Sequence, residues 1–457
     1  MKKNIVEKTI EAPAQALQYS VEGGQKIASS LPLDGREPLR KARNYWYLLG
    51  PGLTTGASDD DPSGIATYSQ AGAQFGYNLL WMAAFTFPLM AIVQEMCARI
   101  GLVTGRGLAH NIRLHFGKKV LYMSTLFLFA ANTFNIGADI GAMASGVQLL
   151  KPHASYGLLV VGFTVFILLL QIYTPYVRYA RYLKWLALVL LAYILSAILA
   201  RPDWGNVLHY SFIPSLTFSK NEILIICAIL GTTITPYLFF WQTSQEIEEE
   251  IAAGQTTINS RKGAQPSEIK KMRIDVWSGM FLSNIVMFFI IAACASVLFT
   301  HGITNIDSAA QAAAALKPFA GNASALLFTV GIIGMGLLAI PIMAASSAYA
   351  ISESLGRRQG LYSKLKQGYL FYGVIIISMF AGLSLNFIGL NPIRALIYAA
   401  VLNGIVAPII LVLILIIARD KKIMGSWKNG KVSASLGWFL TCLMTVAGLA
   451  AIYTMFA

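Results

Sequence analysis

Eleven apolar segments of about 17 to 30 residues run through the chain, separated by polar or charged connections. A helix needs roughly 20 apolar residues to cross the hydrocarbon core of a bilayer. Because lipid offers no hydrogen-bond partners, a single segment of this length can pair its backbone N–H and C=O groups only by forming a helix. With 56% hydrophobic and 12% charged residues, the composition is too apolar for a water-soluble domain. We therefore predict an all-α polytopic membrane protein. The predicted spans cover residues 46–70, 78–100, 120–149, 156–173, 184–200, 222–243, 275–300, 323–351, 368–387, 394–418 and 434–456.

The basic residues predict the orientation of these spans. If the amino terminus is cytoplasmic, 30 of the 35 Lys and Arg residues fall on the cytoplasmic side, as the positive-inside rule requires. Residues 1–44 then form a cytoplasmic tail, and the carboxyl terminus lies outside the cell membrane. The net charge of +14 follows from this topology and from contact with the lipid bilayer, so it requires no nucleic-acid partner.

Charge interrupts the first predicted span. The stretch GASDDDPSGI, residues 56–65, places three consecutive aspartates and a proline inside an apolar run. A charged residue near the bilayer centre costs at least about 2.5 kcal/mol, and such residues usually mark a binding site or an ion path. Proline alone can kink a helix, so a simple kink does not explain why carboxylates stand here. Asp61, directly before Pro62, is therefore a predicted functional residue.

A second interruption occurs five spans later. The sixth span, CAILGTTITPYLFFWQ, contains Pro236, and proline disrupts helical hydrogen bonding. Paired breaks at corresponding points of two halves are typical of inverted repeats with a binding site between the breaks. We expect one repeat over residues 45–200 and a second over 221–418, with 434–456 as an additional span.

Four segments together resemble the Nramp family of divalent-metal transporters. They are GPGLTTGASDDDPSGIATYSQAGAQFGYNLLW, QEMCARIGLVTGRGLAHNIR, AAAALKPFAGNASALLFTVGIIG and LNPIRALIYAAVLNGIVAP. The resemblance extends over nearly the whole chain from Asn44. It implies the LeuT-type fold, an inverted repeat of five plus five helices with one or two further spans, and transport of Mn²⁺ or Fe²⁺, usually with protons.

The two metal-binding motifs of the family are altered here. The first-span motif of the family is Asp-Pro-Gly-Asn, and the sixth-span motif is Met-Pro-His. Alignment of the motifs places Asp61 on the metal-binding aspartate and Gly64 on the ligand asparagine. It places Thr235 on the methionine and Tyr237 on the histidine. This pattern resembles the Nramp-related magnesium transporters.

Ligand chemistry favours the same ion independently of the resemblance. A thioether helps to select transition metals, whereas hydroxyl, carboxylate and carbonyl oxygens suit Mg²⁺. Because Mg²⁺ keeps several of its waters and takes one or two carboxylates directly, its site must be wide. We expect Thr235 to supply an oxygen and Gly64 to supply space for a partly hydrated ion.

Backbone oxygens are the other predicted ligands. Where the two broken spans unwind, the last carbonyls of the preceding half-helices have no helical partner. We expect Ala57 and Ser58 in the first span and Thr232 in the sixth to offer such oxygens. Thr232 lies on the same helical face as Thr235. The alternative is that both threonine hydroxyls bond to their own helix.

The three aspartates cannot all face one ion while the segment stays helical, because successive helical residues point about 100° apart. Asp61 is the predicted ligand. Asp60, and to a lesser degree Asp59, are expected to line a water-filled vestibule whose negative potential attracts cations. The alternative is that they pair with Lys or Arg from a neighbouring segment.

The proton pathway implied by the resemblance is also altered. That pathway uses the sixth-span histidine and two acids of the third span. Here Tyr237 replaces the histidine, and a phenol that titrates near pH 10 does not shuttle protons at pH 7. On the third span only Asp139 matches an acid, and Ile136 occupies the other position. We expect transport without proton coupling, with Asp139 alternatively held in a structural role by Asn132 or Asn135.

The sequence thus predicts uptake of Mg²⁺, with Mn²⁺ as a second substrate, and no enzymatic activity, cofactor or obligatory protein partner. Two alternatives stay open: a proton-coupled Mn²⁺/Fe²⁺ transporter of the ordinary Nramp type and, more distantly, a cation channel. An amino-acid transporter of similar fold is disfavoured because the acids would repel a substrate carboxylate. A membrane enzyme is disfavoured because all five histidines lie in predicted loops or at span ends.

Overall fold

The computed structural model of the chain describes residues 50–174, 191–362 and 365–456. The predicted cytoplasmic tail, the first four residues of the first predicted span and residues 184–190 of the fifth lie outside the described residues. The chain divides into a unit that ends at Gly50 and a unit that begins at Pro51. The helices below are those of the second unit.

The regular structure of the described residues consists of α-helices and short 3₁₀ turns. The α-helices are α1 (Pro51–Asp59), α2 (Pro62–Phe75), α3 (Trp81–Thr104), α4 (Leu108–His115), α5 (Lys118–Leu150), α6 (Tyr156–Tyr173), α7 (Leu191–Leu199), α8 (Trp204–Phe212), α9 (Lys220–Thr233), α10 (Pro236–Ala252), α11 (Ile258–Arg261), α12 (Pro266–Val297), α13 (Ala309–Ala314), α14 (Lys317–Ala320), α15 (Ser324–Ser354), α16 (Tyr369–Leu385), α17 (Pro392–Arg419), α18 (Lys421–Met424) and α19 (Lys431–Phe456). The 3₁₀ turns are Phe299–His301, Gly321–Ala323 and Gly425–Trp427.

The predicted spans have helical counterparts. Among the described residues, eight helices are long and apolar enough to cross a membrane, with α9 and α10 counted as one. The remaining predicted spans correspond to the pair α1 and α2, to the 17-residue helix α16 and to α7, the described part of the fifth span. The prediction of an all-helical, multi-span membrane protein is confirmed.

Both predicted interruptions are present. α1 ends at Asp59 and α2 begins at Pro62, while α9 ends at Thr233 and α10 begins at Pro236. Each second half-helix therefore starts with proline, whose missing N–H costs nothing at that position. Three other prolines lie inside continuous helices: Pro88, Pro341 and Pro408. A proline alone does not break a span of this chain.

The helices pack mainly in two groups. The first group consists of α1, α2, α3, α10 and α12, and the second of α5, α6, α15 and α16. The long helix α17 packs against α9, α5 and α19. Because α2 also contacts α5 and α10 contacts α15, the two breaks lie along the boundary between the groups.

Glycines allow α1 to lie directly on α12. A Cβ on Gly52 would lie 2.6 and 2.7 Å from backbone atoms of α12, and a Cβ on Gly56 would collide with the backbone of Gly279. Residues four apart share a helix face, and small residues at this spacing let membrane helices touch backbone to backbone. The carboxylate of Asp275 also caps α1, accepting two amide N–H groups of its first turn at 2.7 and 3.1 Å.

Candidate functional site

Asp61 lies at the centre of the first break, with an extended backbone (φ −63°, ψ 172°) as the N-cap of α2. Its Oδ1 accepts the Ser63 hydroxyl at 2.6 Å and the Gly64 amide at 2.7 Å. Its Oδ2 accepts the side-chain amide of Asn135, on α5, at 2.9 Å. An ionised carboxylate has about four acceptor positions, so one position, on Oδ2, is left for a ligand.

The other two aspartates share one hydroxyl from α12. The Ser283 hydroxyl lies 2.9 Å from Asp59 Oδ2 and 3.2 Å from Asp60 Oδ1. The second oxygen of each carboxylate has no hydrogen-bond partner among the described residues. Both side chains are buried, so the expected open vestibule is wrong for this conformation. Of the alternative pairing, the described part of the chain shows no example, because no Lys or Arg there forms an ion pair with either aspartate.

The sixth-span break supplies a free hydroxyl. Thr235 is the N-cap residue of α10, but its side chain makes no capping bond and its hydroxyl has no partner among the described residues. Thr232 approaches the first break, because a Cβ on Gly64 would lie 3.1 Å from its Oγ1 and 3.2 Å from the Asp59 carbonyl oxygen. Glycine at position 64 thus permits close approach of the two breaks. In the direction of a side chain it leaves little open space, which corrects the expected role of Gly64.

Tyr237 forms a hydrogen bond between the two breaks. Its hydroxyl donates to the carbonyl oxygen of Ser58 at 2.7 Å, and its own carbonyl accepts the hydroxyl of Ser346, on α15, at 2.6 Å. The Ser58 carbonyl, one of the predicted ligands, therefore has one lone pair occupied and one remaining. Ala57 lies beside it in the last turn of α1, where helical carbonyls lose their partners.

Asp139 is fully buried on α5, and neither of its carboxylate oxygens has a hydrogen-bond partner in the described part of the chain. The expected bond to Asn132 or Asn135 is absent. Asn132 donates instead to the Met343 carbonyl at 3.1 Å and to Ser347 at 2.9 Å, and Asn135 donates to Asp61. Asp139 lies one turn after Asn135 and so shares its helix face.

The site is closed to solvent and rich in unpaired acceptors. The side chains of Asp59, Asp60, Asp61, Thr235 and Tyr237 belong to residues that are each only 1% exposed. Carboxylates buried in a membrane are costly unless a positive charge compensates them. Unpaired buried acceptors also need donors. A cation that retains water supplies both the charge and the donors, so the arrangement suits a hydrated cation.

Five residues of the site escaped the sequence analysis as site residues: Ser63, Asn135, Ser283, Met343 and Ser346. Asn135 could have been found, because its position one turn before Asp139 places two polar groups on one face of the third predicted span. Ser283 and Met343 lie more than 200 residues from the groups they contact. Nothing in their local sequence distinguishes them from other residues of membrane helices.

Comparison with known proteins places the chain among transporters. The family model described as "Natural resistance-associated macrophage protein-like", named Nramp, matches residues 52–454. A manganese transporter of Eremococcus coleocola, solved with an aromatic bis-isothiourea compound, is 20% identical and has a TM-score of 0.67. The match covers 88% of this chain and 85% of that transporter.

Two further solved structures are similar. A histidine-to-alanine variant of the same transporter is 19% identical, with a TM-score of 0.66 and the same coverage. Mhp1, a nucleobase-cation-symport-1 family transporter in a closed conformation, is 16% identical, with a TM-score of 0.53 over 89% of this chain and 91% of its own. At these identities the structures show the fold, and it is the predicted LeuT-type fold.

Proposed function

The chain belongs to the Nramp family, and from this premise we propose that it takes up Mg²⁺, and secondarily Mn²⁺, as a partly hydrated ion without coupling to protons. Family membership makes it a multi-pass membrane transporter of divalent metal ions rather than an enzyme. The choice of ion and the source of energy are our proposals, and they rest on the site.

The observation that carries the proposal is the set of oxygens at the two breaks. Asp61 has one open acceptor position, and Thr235 offers a hydroxyl that has no partner among the described residues, where the family has a thioether. Hard oxygens of this kind suit Mg²⁺. A thioether is still close to the site, because Met343 Sδ lies 3.0 Å from the side-chain amide nitrogen of Asn135. The same nitrogen donates to Asp61, so the Asn135 amide lies between the sulfur and the Asp61 carboxylate.

We propose that the remaining contacts are made through water and backbone oxygens. Mg²⁺ typically keeps several waters while it binds one or two carboxylates. The carbonyls of Ala57, Ser58 and Thr232 are the proposed backbone acceptors. Asp60 supplies the proposed second carboxylate, through the oxygen that has no hydrogen-bond partner in the described part of the chain. Gly64 contributes by letting the breaks approach each other.

The membrane potential is the proposed driving force. A divalent cation gains roughly 4.6 kcal/mol on crossing a potential of 100 mV toward the negative side. Tyr237, at the position of the family's histidine, uses its hydroxyl proton in a bond to the Ser58 carbonyl. This arrangement supports uptake without a proton relay through the sixth span.

Topology and location are part of the proposal. We propose a cell-membrane protein with a cytoplasmic amino terminus and an external carboxyl terminus, as the basic residues indicate. The proposed repeats are residues 45–200 and 221–418, followed by the additional span 434–456. No obligatory protein partner is proposed.

One observation favours the ordinary, proton-coupled type as a second candidate. Asp139 is buried with both carboxylate oxygens free of hydrogen bonds among the described residues, so it is available to carry a proton. If it exchanges that proton during transport, Mn²⁺ or Fe²⁺ would be the expected substrate. The paired breaks, between Asp59 and Pro62 and between Thr233 and Pro236, weigh against the third candidate, a channel, because such breaks are typical of transporters that alternate between two conformations.

Competitive uptake into proteoliposomes tests the proposal. Purified protein is reconstituted, and initial uptake of Mg²⁺ is measured with a fluorescent indicator in the presence of Mn²⁺ or Ca²⁺. We expect saturable Mg²⁺ uptake that Mn²⁺ inhibits and that Asp61→Ala abolishes in a folded, monodisperse protein. Uptake of Mn²⁺ without Mg²⁺ would overturn the choice of ion, and normal uptake by Asp61→Ala would overturn the site.

A further inference from the structure

Asn135 on α5 contacts the first break from the opposite group of helices. Its Nδ2 donates to Asp61 Oδ2 at 2.9 Å and lies 3.0 Å from Met343 Sδ. An ionised carboxylate accepts hydrogen bonds and cannot donate them. The bond to Asp61 therefore fixes the orientation of the amide, with Nδ2 toward the carboxylate and Oδ1 on the other side.

The Oδ1 of Asn135 has no hydrogen-bond partner within the described residues, and the residue is 0% exposed. A buried acceptor without a donor destabilises the folded protein. Such groups are rare in native structures and call for a specific explanation. Its neighbours in the site do not relieve it, because ionised Asp61 and Asp139 present only acceptors and the Thr235 hydroxyl, which could donate, makes no hydrogen bond among the described residues.

We infer that Asn135 is a substrate-binding residue on the third span, whose Oδ1 accepts a hydrogen bond from a water of the bound ion. Its Nδ2 simultaneously holds Asp61 so that the open position of Oδ2 faces the same ion. The inference deepens the proposed function and rests on it for a hydrated divalent cation. Neither the altered motifs nor the family resemblance assigned a ligand to this span.

A hydrated ion supplies the donor that Asn135 Oδ1 needs. Waters bound to a divalent cation are strongly polarised donors, and bridging waters are nearly as favourable as direct hydrogen bonds. An amide oxygen reaching the first water layer stabilises the ion without displacing that water. Such contacts suit Mg²⁺, which dehydrates reluctantly.

The test compares Asn135→Leu with a matched control on the same helix, Asn132→Leu. Leucine is close to asparagine in shape and removes both the donor and the acceptor. Asn132 lies one turn earlier and bonds to α15. Its Oδ1 also has no hydrogen-bond partner among the described residues, but unlike Asn135 it makes no hydrogen bond there to Asp61, so the pair separates a position beside the carboxylate from an unpaired amide oxygen alone. Initial Mg²⁺ uptake into liposomes is measured over a range of concentrations to give KM and the maximal rate.

We expect Asn135→Leu to raise the apparent KM at least tenfold, equivalent to about 1.4 kcal/mol, while Asn132→Leu leaves KM within twofold. Asn135→Ser, whose hydroxyl both donates and accepts, should recover part of the loss and keeps the test valid if the leucine variant does not fold. An unchanged KM in folded Asn135→Leu or Asn135→Ser, or equal KM shifts at positions 132 and 135, would overturn the inference.

The same variants separate this inference from the proposed function. If wild-type protein carries Mn²⁺ and not Mg²⁺, the proposed ion preference fails, and the KM comparison is made with Mn²⁺. A tenfold increase in the KM for Mn²⁺ at position 135 alone would still support Asn135 as a binding residue. An unchanged KM for Mn²⁺ would overturn it.

Discussion

Replacing Gly52 by alanine should loosen α1 from α12. The added Cβ would lie 2.6 and 2.7 Å from backbone atoms of α12, where ordinary contact begins near 3.4 Å. Backbone atoms of a packed helix cannot rotate away as a side chain can. α1 must therefore retreat by about 0.8 Å, as overpacked sites require.

That retreat also weakens the cap that holds α1. Asp275 accepts the Gly52 amide at 2.7 Å, and a shift of about 0.8 Å would carry this bond past the usual limit near 3.2 Å. Overpacking of this kind costs about 1–3 kcal/mol. Since each 1.4 kcal/mol is a factor of ten, local opening of α1 should become about 5- to 150-fold more frequent.

Hydrogen–deuterium exchange measured by mass spectrometry reads this opening directly. Amides of α1 should exchange about 5- to 150-fold faster in Gly52→Ala than in wild type, while peptides from α5 and α15 stay unchanged. The matched control is Gly162→Ala in α6, where a Cβ meets nothing within 4 Å. That control reports the gain in helix propensity alone, about 1 kcal/mol.

The reasoning fails if α1 exchanges at the wild-type rate in Gly52→Ala. It also fails if all helices exchange faster together, because the substitution would then act on global stability. A selective change in α1 would mean that the contact with α12 determines how often α1, the first half of the broken span, moves away from α12. We then expect Gly52→Ala to alter the rate of Mg²⁺ uptake more than Gly162→Ala does.

Three further outcomes are expected. Thr235→Met should shift competitive uptake from Mg²⁺ toward Mn²⁺, since it restores a softer ligand; proportional changes for both ions would place selectivity elsewhere. Ser283→Ala removes the hydroxyl shared by two buried carboxylates and should lower stability by about 1–3 kcal/mol, seen as a lower unfolding temperature than for an exposed control, Ser384→Ala. With the membrane potential clamped, a Mg²⁺ gradient should not acidify liposomes that contain a pH-sensitive dye, whereas protons moving in fixed ratio with Mg²⁺ would refute passive transport.

The breaks could be predicted from the sequence because their cause is local. Proline at the first position of α2 and of α10 ends the preceding half-helix, and Asp61 is an effective N-cap in front of Pro62. The lipid-facing spans follow from hydrophobic length alone. Local rules therefore placed both broken spans correctly.

The ends of two helices were predicted less well. α10 continues to Ala252, beyond the predicted span end at residue 243, because QEIEEE consists mainly of good helix formers without being apolar. α12 begins at Pro266, nine residues before the predicted span, where Gln265 and Glu268 form a capping box. A search for apolar length does not detect polar helix extensions.

The partners of the acids could not be predicted, because they depend on long-range packing. The expected vestibule at Asp59 and Asp60 does not form in this conformation because glycine contacts bring α12, and with it Ser283, against the end of α1. Asp139 lacks the expected amide partner because Asn132 and Asn135 donate to α15 and to the first break. Each asparagine can donate to only some of the acceptors near it, and the packing of the helices determines which acceptors it reaches.

The same bonds explain why the residue at position 61 is a carboxylate. Ser63, Gly64 and Asn135 each donate one hydrogen bond to it, which leaves one of its four acceptor positions open. An asparagine side chain has one oxygen with two acceptor positions, and the two donors on the α2 side would occupy both. Its NH₂ group would then face the NH₂ group of Asn135, and a bond to α5 would form only if Asn135 turned its amide over. An aspartate at this position caps α2, holds α5 and keeps an acceptor position that can bind a cation.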